Sequence, residues 1–440
     1  MNRVWIRGGT VWTGGDAPRV FAGGVLCHDD AIEAIGPDAE LEKRARGAEA
    51  IAANGRLVAP GFINAHMHLY STLARGMVLK DPPAENFLEI LERLWWRLDK
   101  ALILEDLGVS AELALADALR AGVTTLIDHH ASPSCIAGSL DELAAAAQRL
   151  GVRLCTCYEV SDRDGPEKAR AGIEENLRFA AAARREPLLR GLFGLHASFT
   201  LEDDTLRRCA EAGAGAGLAF HVHAAEAASD VADAKKRGAM GAVARLHRLG
   251  VLPRGSIAAH CVHTSEPEWA LLKEANVFCV HNPQSNMNNA VGTARVAEMV
   301  AAGVPVGIGS DGMEADVREE LRAAFLLDHH RRSDPRGMWA ELGLLLSVNR
   351  RLAGGIFGRT LGELAPGAAA DVVVYDYHPP TPLSAQNFLG HFLFGAYRAP
   401  ARDVLVAGRI RVRGGEIPAF DPESLAARAR ERAEKLWQRL

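Results

Sequence analysis

Gly61-Phe62-Ile63-Asn64-Ala65-His66-Met67-His68 is the stretch that decides how this chain is read. Pro60 precedes it, so a Pro-Gly turn opens the segment, and the apolar run Phe62 to Ala65 leads into two histidines one residue apart. On a strand, residues i and i+2 point to the same face. His66 and His68 therefore aim two imidazoles at one point, as a single metal ion demands. Two surface histidines explain an isolated His-x-His equally well, so the rest of the chain has to decide between the two.

Downstream of His68 the chain alternates between strand and helix patterns. Helical stretches run from Asn86 to Leu104 and from Leu107 to Ala121, and then comes the β-branched segment Val123 to Asp128. Further strand patterns lie at Val152 to Tyr158, Leu192 to His196, Leu218 to His223, Ile257 to His260, Val277 to His281 and Val304 to Asp311. With the first, these make eight candidate strands separated by helical patterns, which predicts an α/β fold with parallel strands, a (β/α)8 TIM barrel over residues 59–365. The flanks differ in texture. Residues 1–58 and 366–419 are short strands split by Gly and Asp turns. Neither is large enough for a core of its own, which predicts one small composite β-sandwich domain made from both termini. Residues 420–440 read as a charged amphipathic helix packed on the outside.

Composition narrows the function classes. The 440 residues are 48% hydrophobic and 24% charged, with a formal net charge of −5 and no basic tract. Nucleic acid and anionic membranes are thereby set aside as partners. Met1 to Gly15 has no apolar core of signal-peptide length, and no apolar run is long enough to span a bilayer. Seven cysteines at irregular spacing do not make a disulfide framework. Cys155 and Cys157, on a candidate strand, read as small buried residues, and the cytoplasm is the expected compartment.

Chemistry in such a barrel sits at the C-terminal ends of the strands. Here the first strand ends in His66 and His68, the fourth in His196, the sixth in His260, the seventh in His281 and the eighth in Asp311, while the fifth contains His221 and His223. With only 16 histidines in the chain, this concentration favours a metal site. His66 and His68 are set by their spacing, His223 lies nearer the mouth than His221, and Asp311 supplies a carboxylate. Three neutral imidazoles and one Asp suit one divalent metal, Zn2+ first and Fe2+ second. Glu226, three residues past His223, lies where the chain has left the strand and turns back over the site.

At these residues the chain resembles the amidohydrolase superfamily, in its deaminase and chlorohydrolase branch. The resemblance is carried by Pro60 to His68, His221-Val222-His223-Ala224-Ala225-Glu226, Ala259-His260-Cys261-Val262-His263, His281-Asn282-Pro283-Gln284-Ser285-Asn286 and Gly309-Ser310-Asp311-Gly312, in the family's order. Within the branch, His68 to Met77 and Asn86 to Asp99 are similar to SsnA-type aminohydrolases. The resemblance implies His66, His68, His223 and Asp311 as metal ligands, and Glu226, His260 and Asp311 as groups that move protons. Binuclear relatives carry a bridging lysine at the end of strand four, whereas Gly191 to His196 has none. One metal and hydrolysis at a ring carbon, with release of ammonia from an amino-substituted N-heterocycle, is the implied reaction. A homo-oligomer, dimer or larger, is also implied. The rivals are triazine chlorohydrolysis, imidazolone-type ring opening and a non-catalytic scaffold.

Substrate contacts are expected from His196, Arg75 and His281, each against a plain alternative: structural support for the two histidines, a surface salt bridge for Arg75. Phe87, Trp95 and Trp96 read as helix core before ring-stacking residues. Glu85, Glu89, Asn286, Asn288 and Asn289 are rim candidates. His263 is expected beside the site or at the surface. His129 and His130 are expected solvated or orienting Asp128, and His329 and His330 unrelated to the site.

Overall fold

A computed structural model describes residues 2–418 and 420–440; the expected outer edge of the β-domain at 419 falls outside the described residues. All eight expected barrel strands form: Phe62–Met67, Val123–Asp128, Arg153–Thr156, Phe193–Ala197, Phe220–Ala224, Ile257–His260, Phe278–His281 and Val306–Ile308. Every pairing among them is parallel. The fourth is broken at Leu192: Leu189–Gly191 pairs with the third strand and Phe193–Ala197 with the fifth. Isolated parallel bridges, Val160 to Leu195 and Met67 to Asp311, close the ring. The strands are buried along their whole length, as parallel strands covered on both faces must be, and their sequences are accordingly apolar runs without alternation.

The helix expected from Leu107 begins at Leu104 instead. Its first turn is polar, so the apolar pattern starts late, but Asp106 Oδ2 accepts from the Ile103 N–H at 3.1 Å and caps that turn. The aromatic stretch before it is a helix from Phe87 to Ala101, with a π-turn at Leu91–Trp95.

The two termini join in one eight-stranded sheet. Arg3–Trp12 pairs with Val20–His28 along one edge, while Glu49–Ala52 and Leu57–Pro60 share the other. Leu57–Pro60 then pairs antiparallel with Val372–Tyr375, which ties the N-terminal strands to the C-terminal ones. Their alternate residues, among them Val4, Ile6, Val58, Val372 and Leu405, close a separate core. That part of the chain is not all β, however. The helix Phe388–Phe394 lies within it, stacking Phe388 on Trp12 with ring centres 3.8 Å apart.

Gly61 joins the sheet strand Leu57–Pro60 to the first barrel strand. A Cβ there would lie 2.1 Å from Thr124 Oγ1, so only glycine lets the two elements meet. A buried ion pair, Arg153 to Asp371 at 3.2 Å, crosses the same junction. The terminal helix, Pro422–Trp437, packs outside the barrel as expected. Arg432 pairs with Asp106 at 2.7 Å, and Trp437 Nε1 donates to the Leu73 carbonyl at 2.8 Å. All seven cysteines are free, with Cys155 and Cys157 buried, and among the described residues no helix is long and apolar enough to cross a membrane.

Candidate active site

The strand ends converge as the parallel barrel requires. Ligand atoms of His66, His68, His223 and Asp311 all lie within 4.8 Å of one another. Asp311 Oδ1 is 2.8 Å from His68 Nε2 and 3.6 Å from His66 Nε2, and His223 Nε2 is 3.2 Å from His68 Nε2.

The far side of each ring fixes its tautomer. Nδ1 of His68 faces the His129 carbonyl and Nδ1 of His223 faces the His196 carbonyl, the latter at 2.8 Å. A carbonyl only accepts, so each Nδ1 carries a hydrogen and each Nε2 is the nitrogen left to face the centre, with a lone pair whenever its ring is neutral. His66 Nδ1 is backed by His221 Nε2 at 2.8 Å, and His66 Nε2 is buried without a hydrogen-bond partner. Lone pairs this close repel unless a cation lies between them. The donor set, three imidazole nitrogens and one carboxylate, fits a divalent metal of the zinc type.

Burial holds His66 down at about 4 and His223 well below the usual imidazole range, so both rings are neutral. His68 behaves differently. Burial lowers it, but contact with the Asp311 carboxylate outweighs this and lifts it to about 10. Burial would raise Asp311, yet His66 and His68 hold it well below the carboxylate range. A proton thus occupies His68 where a cation would sit, and metal binding must displace it.

The backbone strains to build this centre. Asp311 (φ 56°), His260 (φ 73°) and Ala225 (φ 52°) are all left-handed without being glycine. Ala225 ends the fifth strand with a sharp turn, stabilised by Asp230 Oδ2 accepting its N–H at 2.6 Å, and this turn brings Glu226 back over the site. Glu226 Oε2 lies 3.6 Å from His260 Nε2, which lies 3.8 Å from Asp311 Oδ2. Burial first, then the Asp311 charge, pushes the Glu226 carboxyl well above its ordinary range, and burial holds His260 below its own. Ser285 donates to Asp311 Oδ2.

Above the centre opens a cavity that is continuous with solvent. His196 lines it, with Nδ1 2.8 Å from Thr200 Oγ1. Asn288 and Asn289 also line it, and Asn289 Nδ2 donates to Glu226 Oε1 at 3.3 Å. Asn286 lies deeper, beside His260.

Several expectations need correction. Arg75 does not reach the cavity: the turn Leu69–Ala74 carries the chain outward, and Arg75 is exposed with a 3.4 Å contact to Asp117. His281 does not line the cavity either; it is buried at the end of the seventh strand, where its carbonyl accepts from the Gly309 N–H. Glu89 turns back to accept from the Glu85 N–H and pairs with Arg93. His129 and His130 are not solvated. Both are fully buried, and His129 stacks on His221 with its Nε2 donating to the His221 carbonyl. Asp128 instead accepts from the Leu69 N–H and the Thr156 hydroxyl. Phe87, Trp95 and Trp96 line the cavity rather than filling a helix core. The π-turn at Leu91–Trp95 shifts the residues that follow it by one position relative to the start of the helix. His263 donates toward the Val291 carbonyl, away from the centre, and His329 bonds the Gly337 carbonyl on a distant helix.

Sequence reading missed Asp99 and Glu159, both buried and both on the cavity wall. Asp99 closes the stretch Asn86 to Asp99 without a role assigned to it, and Glu159 belongs to none of the quoted motifs. Their only signal is position, Glu159 just past the third strand and Asp99 one helical turn beyond Trp95.

Comparison with known proteins agrees with this architecture. Residues 57–411 match the amidohydrolase family. A 5-methylthioadenosine/S-adenosylhomocysteine deaminase from Moorella thermoacetica is 31% identical, over 95% of this chain and 96% of that protein. A 5'-deoxyadenosine deaminase from Methanosarcina mazei is 28% identical, over 97% and 96%. Among solved structures, an adenosine deaminase from Xanthomonas campestris with bound zinc superposes with a TM-score of 0.86 at 26% identity, covering 98% of each chain. The chain belongs to the amidohydrolase family.

Proposed function

We propose that this chain is a metal-dependent hydrolytic deaminase of an amino-substituted N-heterocycle of the adenosine type. The observation that carries the reading is the convergence of His66, His68, His223 and Asp311 beside a buried Glu226 in a cavity walled by Phe87, Trp95 and Trp96. His66, His68, His223 and Asp311 hold one divalent cation, Zn2+ before Fe2+ given the nitrogen-rich donor set. When bound, such a cation supplies Lewis-acid activation of a water molecule.

The residues then divide the proton work. Glu226, kept protonated by burial, donates to the ring nitrogen next to the scissile carbon and makes that carbon electrophilic. His260 and Asp311 take the proton that the attacking water loses. That proton returns to the amino group, the C–N bond breaks to release ammonia, and the hydroxyl proton of the adduct passes to the Glu226 carboxylate, leaving the ring carbonyl and restoring the acid. His196 and the aromatic wall of Phe87, Trp95 and Trp96 orient the ring. The names of the relatives favour an adenine nucleoside over a bare ring. The family resemblance further implies a homo-oligomer, to be read by light scattering; the cytoplasmic location expected from the cysteine pattern is to be read by cell fractionation.

The test is ammonia release by metal-loaded protein from a panel of adenine nucleosides, aminopyrimidines and amino- or chlorotriazines. Turnover of adenosine or a 5'-substituted adenosine is expected. Chloride release, or ring opening without ammonia, would transfer the assignment to one of the rival reactions.

A further inference from the structure

The barrel has a second mouth, at the strand ends away from the candidate metal site. A cleft of about 690 Å3 opens to solvent there. Its residues lead into four strands: Leu192 precedes Phe193–Ala197, Leu218 precedes Phe220–Ala224, Gly255 precedes Ile257–His260, and Asn276 precedes Phe278–His281. His196, His223 and His260 lie toward the far ends of three of these strands.

The rim of the cleft is cationic. Arg184, Arg190, Arg254 and Arg351 line it, and no Asp or Glu does, although the chain as a whole carries a formal net charge of −5. Among the described residues none of the four is in an ion pair. Asp16 lies within reach of the Arg351 charge, but it is held by Arg350 at 2.6 Å and by the Ser347 hydroxyl at 2.8 Å. Two of the guanidiniums are anchored by one arm. Arg184 Nη2 donates to the Ala216 carbonyl at 2.7 Å, and Arg190 Nη1 donates to the Glu186 and Leu189 carbonyls at 2.8 and 2.6 Å. Basic residues gather at helix C-termini, and that accounts for Arg184, which bonds the last turn of the helix Asp203–Ala216. It does not account for Arg254, which sits in a turn, or for Arg351, more than a turn inside the helix Trp339–Phe357.

The floor is apolar. Leu192, Phe278 and Leu352 line it and share one core cluster, with Ile356 packed against them. A cleft edged by charges of one sign concentrates the opposite ion, and the planar fork of a guanidinium matches phosphate oxygens. The apolar floor gives the organic body of a phosphate ester a surface to cover, which a bare ion does not need.

We propose that this cleft binds a small organic phosphate, whose body lies on the floor at Leu192 and Phe278 and whose phosphate meets Arg254 and Arg351. The inference is independent of the deaminase reading and gives the chain a second ligand site, at the opposite end of the barrel.

The experiment is calorimetry on metal-loaded full-length protein. Uridine 5'-monophosphate is the probe, since its ring has no amino group to lose, and uridine and inorganic phosphate are its two halves. The monophosphate is expected to bind at least about tenfold more tightly than either half. Its affinity should fall about threefold or more when salt is raised from about 50 to about 300 mM. Arg254 and Arg351 are exposed. The double variant Arg254→Gln/Arg351→Gln should therefore keep parental metal content, melting temperature and ammonia release while binding the monophosphate about tenfold more weakly. If the double variant melts early, Arg254→Gln alone decides: about threefold weaker binding supports the site, and unchanged binding overturns it. Equal binding by parent and double variant puts the probe elsewhere, as at the candidate metal site, and overturns the inference. Inorganic phosphate binding as tightly as the monophosphate does so too, because the floor then has no part. Absence of binding at millimolar probe leaves the four arginines as surface and helix-end charges and overturns it outright.

Discussion

Nε2 of His223 lies 3.2 Å from Nε2 of His68, and both rings turn their hydrogen-bearing nitrogens away from each other toward backbone carbonyls. Without a cation these two nitrogens either face each other as buried lone pairs or hold a proton beside Asp311, and a metal shared between them removes that cost. The apo-protein should therefore be less stable than the metal-loaded one. Chelation should lower the melting temperature, and Zn2+ should restore it. His66→Ala should reduce bound metal to a small fraction of one equivalent, read by elemental analysis. Full occupancy in that variant would remove His66 from the ligand set.

Glu226→Gln separates proton transfer from metal binding. The amide keeps the shape and the contact with Asn289 but has no proton to cycle. Metal content should be unchanged, and kcat should fall by about 10²- to 10⁴-fold. Near-parental turnover would reject Glu226 as the donor.

Asp230 gives the fold a pH dependence of its own. Burial lifts its carboxyl from the ordinary 3.8 to about 7. The folded state therefore binds this proton more tightly than the unfolded one. Its contribution is fully present below pH 3.8 and is lost as pH rises through about 7. Asp230→Asn keeps an acceptor for the Ala225 N–H and has nothing to ionise. Relative to the parent, the variant should gain at least about 1 kcal/mol between pH 5 and pH 8. Denaturant melts at the two pH values decide this, and parallel curves would mean that the carboxylate is as well accommodated as the acid.

Arg153 and Asp371 test the junction between barrel and β-domain. Both are buried, and they meet at 3.2 Å. Arg153→Ala strands Asp371 in the interior and should cost about 3–5 kcal/mol. Asp371→Asn in the same background should recover part of that loss. No recovery would show that packing by the Arg153 side chain, which lies over Phe357, matters more than its charge.

The barrel is legible because its strands are short apolar runs at regular intervals, each closed by a residue that a buried strand does not otherwise want. His66 and His68 can be paired from spacing alone, since strand geometry puts i and i+2 on one face. The helix after the first strand misleads for a local reason. A π-turn is invisible to a 3.6-residue periodicity, so Trp95 and Trp96 look like core from sequence.

The amino-acid sequence alone determined the barrel, the pairing of the two termini and the chemical character of the candidate metal site, because each follows from local periodicity or from side-chain type. Only the tertiary structure decided which atoms meet. It turned His129 and His221 inward as supports, sent Arg75 out to Asp117, and set Asp99 and Glu159 on the cavity wall. Those outcomes depend on where distant strands and helices come to rest against one another, and no window of sequence contains both sides of such a contact.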